Sequence, residues 1–396
     1  MIVTQAEGVG VLRRAMCVVS AVLVVGGLGI GGSAAAATTP GGVAAWGSGG
    51  YGELGDGSTA ERLLAAPVPG LTDVVAIDSG RGHVLALKSD GTVVTWGYNG
   101  FGQLGDGTRT NRGTPAPVAG VTDVVAIAAG SDHSLAVRSD GTVLAWGWNG
   151  SGELGDGSTA TVQTRPVRVR GLTGARSVSA NNRHSLAVTA DGGVVGWGSN
   201  NGGQLGGKDT TEVRRVPAPV AGLANVAAVA AGSEFSMARH TDGTVSAWGR
   251  NTNGQLGDGT DLTRSDPRPV SGLGKVVDIA AGSNHGLAVL SDGTAMAWGF
   301  NRYGQLGDGT TTNQHRPVRV RGLASVTDID GSLNHSIAAT AQGFALAWGL
   351  NHRGQLGNGT FANSSTPVLV VGLSGVRAVS AGSALSAFSI ALTTTT

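Results

Sequence analysis

Between residues 115 and 153 the apolar positions change their spacing from one short segment to the next, and none of the spacings is helical. Val124-Val125-Ala126-Ile127-Ala128-Ala129-Gly130 is β-branched and small throughout, as an inner buried strand requires. His133-Ser134-Leu135-Ala136-Val137-Arg138 then alternates, and Ser139-Asp140-Gly141 forms a hairpin turn in which Asp-Gly accepts positive φ. The second arm, Thr142 to Trp146, places Leu144 and Trp146 on one face and Val143 and Ala145 on the other. Together with the short extended piece Pro115 to Val118, these segments predict four antiparallel strands per copy, one blade of a propeller.

The same unit recurs along the chain. Trp-Gly falls at Trp46, Trp96, Trp146, Trp197, Trp248, Trp298 and Trp348, at spacings of 50 or 51 residues. Asp-Gly turns recur at Asp90, Asp191, Asp242 and Asp292, with Gln342-Gly343 in the remaining copy. No helical period of useful length follows residue 37, so the fold is expected to be all-β. The last copy runs through Val376 to Ala381 and Ser386 to Leu392 and stops without an eighth Trp-Gly. At the front, Gly41-Gly42-Val43-Ala44-Ala45-Trp46 matches one strand of the unit but has no strands before it. Pairing this orphan strand into the last copy predicts a closed seven-bladed β-propeller with no exposed sheet edge between first and last blades.

Composition agrees with a divided core. Glycine is 69 of 396 residues, and charged residues are 13% against about 25% in average proteins. A single core seldom grows beyond about 250–300 residues, and the repeats supply the division. Residues 1–37 carry Arg13 and Arg14, an apolar run from Ala15 to Ile30, and the small residues Ser33 to Ala37, which together predict an export signal and a mature propeller over 38–396. The apolar run is short for a membrane span, so none is expected in the mature chain. Cys17, the only cysteine, lies in this segment, and the mature protein is expected to carry no disulfide. Without residues 1–37 the chain holds 25 basic and 25 acidic side chains, which leaves no positive excess for a nucleic acid.

The pattern Ala-Ala-Gly-x-x-His-Ser-Leu-Ala, Asp-Gly-Thr-Val, Ala-Trp-Gly-x-Asn and Gly-Gln-Leu-Gly-Asp-Gly-Thr resembles the regulator of chromosome condensation repeat over essentially residues 41–392. Members of that family include nucleotide exchange factors for a small GTPase, a plant ultraviolet-B photoreceptor and a secreted bacterial inhibitor of β-lactamases. The resemblance implies the fold more than the function. The exchange factor uses a β-wedge and basic extensions, whereas copies of 50 or 51 residues here leave no room for a wedge. The photoreceptor's tryptophans lie before the motif histidine, where this chain has Arg81-Gly82, Ser131-Asp132, Asn182-Arg183, Ser233-Glu234, Ser283-Asn284 and Leu333-Asn334. The lactamase inhibitor is similar in export and blade count, but its repeats are shorter.

Candidate chemistry is sparse. Histidines recur at His83, His133, His184, His285 and His335, with Phe235 and Leu385 read as replacing them in the other copies. An apolar substitute points to a packed blade position rather than a metal ring. Asp56, Asp106, Asp156, Asp258 and Asp308 sit singly between glycines, which suits turns and not calcium loops. Gly47-Ser48-Gly49-Gly50-Tyr51-Gly52 matches a dinucleotide fingerprint, yet no helix follows to offer its N-terminus. No Gly-x-Ser-x-Gly elbow or triad is present, so no catalytic residue, metal or cofactor is expected.

Aromatic residues are more informative. Tyr51, Tyr98, Phe101, Trp148, Phe300 and Tyr303 all fall just after Trp-Gly, and the slot two after the motif Trp varies while the frame repeats. Large rings in variable loops are candidate anchors of an interface, as a discontinuous rim. The pre-histidine row, with Arg81, Asp132, Arg183 and Glu234, is the competing surface. The expectation is a secreted, monomeric, non-enzymatic propeller that binds another protein or a cell-envelope component. The alternatives are an exchange-factor-like regulator of a small GTPase, or a secreted enzyme inhibitor similar to the propeller-type β-lactamase inhibitor.

Overall fold

The computed structural model describes residues 40–207, 211–382 and 387–394. The expected export segment, Lys208, Asp209 and Leu385 lie outside the described residues. Within them the chain forms 28 strands, β1 to β28 in chain order, and no helix.

One blade shows how the pattern becomes structure. β7 (Val124–Ala129), β8 (His133–Arg138), β9 (Val143–Trp148) and β10 (Val162–Arg168) pair antiparallel in that order. The hairpin between β8 and β9 turns on Gly141 at φ 76°, the left-handed conformation that Asp-Gly was expected to supply. Alternation on β9 divides its side chains between two cores. Val143 and Ala145 pack with Trp197 of the following blade, while Leu144 and Trp146 pack with Leu85 and Val118 of the preceding one. The core is thus a ring of wedges between blades, and each of the seven motif tryptophans is fully buried in one of them. A buried Trp removes roughly 150–250 Å² from water, worth roughly 4–6 kcal/mol as an upper estimate. Outer strands such as β10 are half-exposed and contain proline, which only an edge position tolerates.

Ring closure follows the expected route. β1 (Gly41–Gly47) pairs with β28 (Phe388–Thr394) in unbroken register from Gly41↔Thr394 to Gly47↔Phe388. On its other edge β1 receives β2 (Arg62–Pro67), and β27 (Val376–Ala381) completes the seventh blade on the far side of β28. A bridge from Gly41 to Val74 links it to the first blade, β3 (Val74–Ser79), β4 (His83–Lys88), β5 (Val93–Gly97) and β6 (Arg112–Pro117).

The last strand differs from the sequence expectation. It begins at Phe388, two residues after Ser386, and Phe388 rather than Leu385 occupies the histidine slot. Gly382 N donates to Phe388 O at 3.0 Å as Gly80 N does to His83 O at 2.9 Å. The connection between the two is three residues longer in the last blade, which moves the slot from the position that equal spacing predicts.

Strand direction sorts the loops. Connections after the first and third strands of each blade emerge on one face, and hairpin turns and connections after the fourth emerge on the other. The amide of Tyr98, after β5, donates to Gly82 O, before β4, at 2.7 Å, which ties the two loops together. Gly147 follows the motif Trp at φ 104°, where a Cβ would stand 2.5 Å from Asp132 O. The close approach of these loops is why the second letter of Trp-Gly repeats.

Candidate functional site

The loop after each motif Trp is built to a common plan. In the first blade Asn99 Oδ1 accepts from Leu104 N, its Nδ2 donates to Asp106, and Asp106 in turn accepts from Thr108 N at 2.9 Å. The Gly-Asp-Gly aspartates therefore cap turns, as expected. Asp56 and Asp106 also pair with Arg62 and Arg112 of the following outer strand. The glycine after each aspartate reaches the next blade, for example Gly57 N to Gly113 O at 2.8 Å and Gly107 N to Thr164 O at 2.8 Å.

On this scaffold the aromatic residues come together more closely than a discontinuous rim. Tyr51 and Tyr98 have ring centroids 4.8 Å apart, Tyr98 and Phe101 6.0 Å, and Phe101 and Trp148 4.9 Å. These four rings form one continuous strip across the loops of three successive blades. Phe300 and Tyr303 make a separate pair at 6.4 Å on the fifth blade. Tyr51 is 36% exposed and the other five are half-buried, so each ring has one packed and one open side. The amides of Tyr51 and Phe101 are held by Glu53 Oε2 at 2.7 Å and Gln103 Oε1 at 2.9 Å. Two glycines seat the rings: a Cβ on Gly100 would meet the Tyr98 hydroxyl, and one on Gly150 would stand 2.5 Å from Trp148 Cζ2.

The pre-histidine row is not a rival face. Trp148 N donates to Asp132 O at 2.8 Å and Arg250, in the variable slot, pairs with Glu234 at 2.5 Å, so both rows share one end of the propeller. Arg81 pairs with Asp132 at 2.6 Å, and Arg183 also attracts Asp132; burial nevertheless leaves that carboxyl raised above its usual range.

The repeated histidines belong to a clamp between blades. His83, His133, His184, His285 and His335 place Nε2 2.9–3.1 Å from Ser134, Ser185, Ser236, Ser336 and Ser389 of the following blade. Each serine hydroxyl donates to a main-chain carbonyl, as Ser134 does to Gln103 O at 2.9 Å. That carbonyl also accepts from the next motif Trp, here Trp146 Nε1 at 2.8 Å. The serine proton being spent, the imidazole must donate from Nε2, which fixes its tautomer. Burial pushes His83, His133, His184 and His335 down to about 3, so they stay neutral. Although these look like serine–histidine dyads, every serine is fully buried and its proton points away from solvent. Where the slot holds Phe235 or Phe388, the facing position of the next blade is Gly286 or Val84, so histidine and serine occur or vanish together. Ser185→Ala is expected to strand a buried N–H and cost about 1–3 kcal/mol, read from urea denaturation.

One cluster escaped the sequence reading. Inner strands carry Asp78, Asp278, Asp328 and Asp330, and a narrow central channel is lined by Asp78, Ser179, Asn181 and Asp330 among small residues. Asp78 Oδ2 accepts from Ala129 N at 2.9 Å, Asp328 from Val379 N at 2.8 Å, and Asp330 from Ala381 N at 2.8 Å, each in the next blade. Burial, helped by the neighbouring acids, pushes Asp78 up to about 8 and Asp328 to about 7, and burial alone accounts for Asp330 at about 6. Asp278 is raised well above the usual carboxylate range by burial and by Asp328. By area Asp78, Asp328 and Asp330 are only half-buried, the first and last because the channel reaches them. A channel this narrow wets a carboxylate without hydrating it as bulk water does, so the upward direction stands. Among the described residues no three His, Cys, Asp or Glu side chains converge to hold a metal. The only sequence signal was an Asp letter, or two in Val326–Gly331, within strands otherwise mostly apolar or small.

The chain matches the RCC1-like domain model over residues 19–276 and again over 176–396. It is 36% identical over 83 residues to Regulator of chromosome condensation of Xenopus laevis, which covers 21% of this chain and 20% of that protein. It is 39% identical over 99 residues to the E3 ubiquitin-protein ligase HERC2 of Homo sapiens, covering 24% of this chain and 2% of that protein. These matches span at most a fifth of the relatives' own length. Prp20p from Saccharomyces cerevisiae superposes with a TM-score of 0.80 at 23% identity, over 91% of this chain and 93% of that one. Human WBSCR16 gives 0.80 at 24% identity, over 90% and 99%. At such identities the likeness carries the fold.

Proposed function

Because the chain belongs to the RCC1-like domain family, we propose that it is an exported, non-enzymatic propeller scaffold that binds another protein, or a cell-envelope component, through the loop face bearing Tyr51, Tyr98, Phe101 and Trp148. The observation that carries this reading is the continuous strip of four half-open rings on a frame whose other repeated side chains are spent on packing and turns. Aromatic clusters that are rigid and part-exposed are the usual hot spots of interfaces. Prp20p, of the same fold, is described with its binding to Gsp1p and histones, which supports a protein as partner. The connections between third and fourth strands are all 13 or 14 residues long, which weighs against the exchange-factor reading with its projecting wedge.

A partner captured with the purified protein supplies the test. Trp148→Ala and Tyr98→Ala are each expected to weaken its binding by at least about tenfold, about 1.4 kcal/mol, with the unfolding midpoint unchanged. Normal binding by these variants, with Arg183→Ala or Glu234→Ala abolishing it in a salt-sensitive way, would assign the contact to the charged row instead.

A further inference from the structure

The strip has a shape that discriminates among ligands, and the inference below rests on its being the binding surface. Neighbouring rings are tilted by 52°, 85° and 66°, so the strip is a row of V-shaped clefts rather than a flat plate. A pyranose ring stacks on a plate; a small, stiff, edge-on ring enters a cleft. Two steps along the strip, from Tyr51 to Phe101 or from Tyr98 to Trp148, cannot exceed about 11 Å. One turn of a polyproline II helix is three residues, roughly 9 Å. That bound leaves room for one such turn between alternate rings.

The polar atoms agree. No hydrogen bond within the described residues uses the hydroxyls of Tyr51 and Tyr98 or the indole N–H of Trp148. A polyproline II backbone has no internal hydrogen bonds, so its carbonyls are open to donors of this kind. The cations near the strip are engaged, Arg81 with Asp132 at 2.6 Å, Arg353 with Glu61 at 3.4 Å, and the exposed Arg109 with the main-chain Gly100 O at 2.7 Å. The loops that carry the rings also present the uncharged, half-buried Ser48 and Ser151. Both sides of such a contact are stiff before they meet, because Gly100 and Gly150 seat Tyr98 and Trp148, and ordering costs little.

We propose that the Tyr51–Tyr98–Phe101–Trp148 strip, with its open donors and tilted clefts, recognises an uncharged proline-rich segment of a partner protein in the polyproline II conformation. Trp148 is the one half-exposed indole among tryptophans otherwise fully buried, so it reports binding by its emission. The full chain is titrated with decaproline, with a Gly-Ser decapeptide, and with chitohexaose as a neutral glycan. Decaproline is expected to give a saturable change with at least about tenfold tighter binding than Gly-Ser. Tyr98→Ala, and separately Gly100→Val, which displaces the Tyr98 ring without removing it, should each weaken decaproline at least tenfold at unchanged unfolding midpoint. Decaproline no better than Gly-Ser, or chitohexaose binding in its place, overturns the ligand class. Equal binding by wild type and both variants places the peptide elsewhere and overturns the proposal too. If Tyr98→Ala releases a captured partner although decaproline never binds, the binding face survives and only the ligand class falls.

Discussion

Removal of residues 38–46 is expected to abolish the cooperative thermal transition of the whole ring. β1 is the central partner in the seventh blade: it bonds β28 along seven residue pairs and carries β2 on its other edge. Without it β2 has no neighbour, and β28 becomes an apolar open edge. Trp46, fully buried, donates to Gln355 O at 2.9 Å and fills the wedge with Ile337, Leu356 and Val379. Emptying that place by Trp46→Ala alone should cost about 3–5 kcal/mol, a large part of the 5–15 kcal/mol that holds a typical domain together. Loss of the strand adds the ladder and the closing bonds to that. Calorimetry of the shortened chain checks it, and a transition at the full-length midpoint would mean that closure contributes nothing.

Stability is expected to be flat between about pH 4.5 and 6.5 and to fall on either side. The channel acids have folded values above their unfolded one of about 3.9. Their contribution is complete below that value and is lost as pH rises toward the folded ones, about 6 for Asp330, 7 for Asp328 and 8 for Asp78. Glu153, pushed up by burial to about 7, acts in the same sense. The five clamp histidines act oppositely: the unfolded chain takes up their protons below about 6.5, while His285 resists to about 4 and the others to about 3. In the middle window the two sets nearly cancel. Above it only the acids titrate, and below about pH 4 the unfolded channel acids are protonated too, so the histidine loss is no longer offset and is joined by that of turn aspartates held below their usual range, such as Asp106 and Asp258. Asp78→Asn should therefore raise the midpoint strongly at pH 8.5, much less at pH 5, and hardly at all below about pH 3.9. Equal gains throughout would assign the effect to packing rather than to the charge.

How far the sequence could be read follows from what repetition can carry. Seven copies of Trp-Gly and an orphan strand were enough for the blade, the count and the closure, because packing demands the same letter at the same place in each copy. Repetition failed where one copy departs, and the longer loop before Phe388 hid the slot behind Leu385. It failed too for the channel, because Asp78, Asp278, Asp328 and Asp330 occupy two different rows of the inner strand and never form a column of seven. The two candidate surfaces were set against each other although antiparallel order alone puts the loops after first and third strands at the same end. Gly100 and Gly150 were visible, but their role as seats for Tyr98 and Trp148 depends on ring orientation, which no spacing encodes.

Gly41 and Thr394 face each other across the closing pair, at the end of β1 away from the loop that carries Tyr51. Anything joined to either strand end leaves from the side opposite the aromatic strip. A tether placed there, on a bead, a sensor chip or a cell surface, displays the strip outward whichever end it uses. The same adjacency makes the molecule a candidate for rewiring: a short linker from Thr394 to Gly41, with new ends opened at an exposed hairpin such as Ser139–Asp140, would turn a closure made by hydrogen bonds into a covalent one.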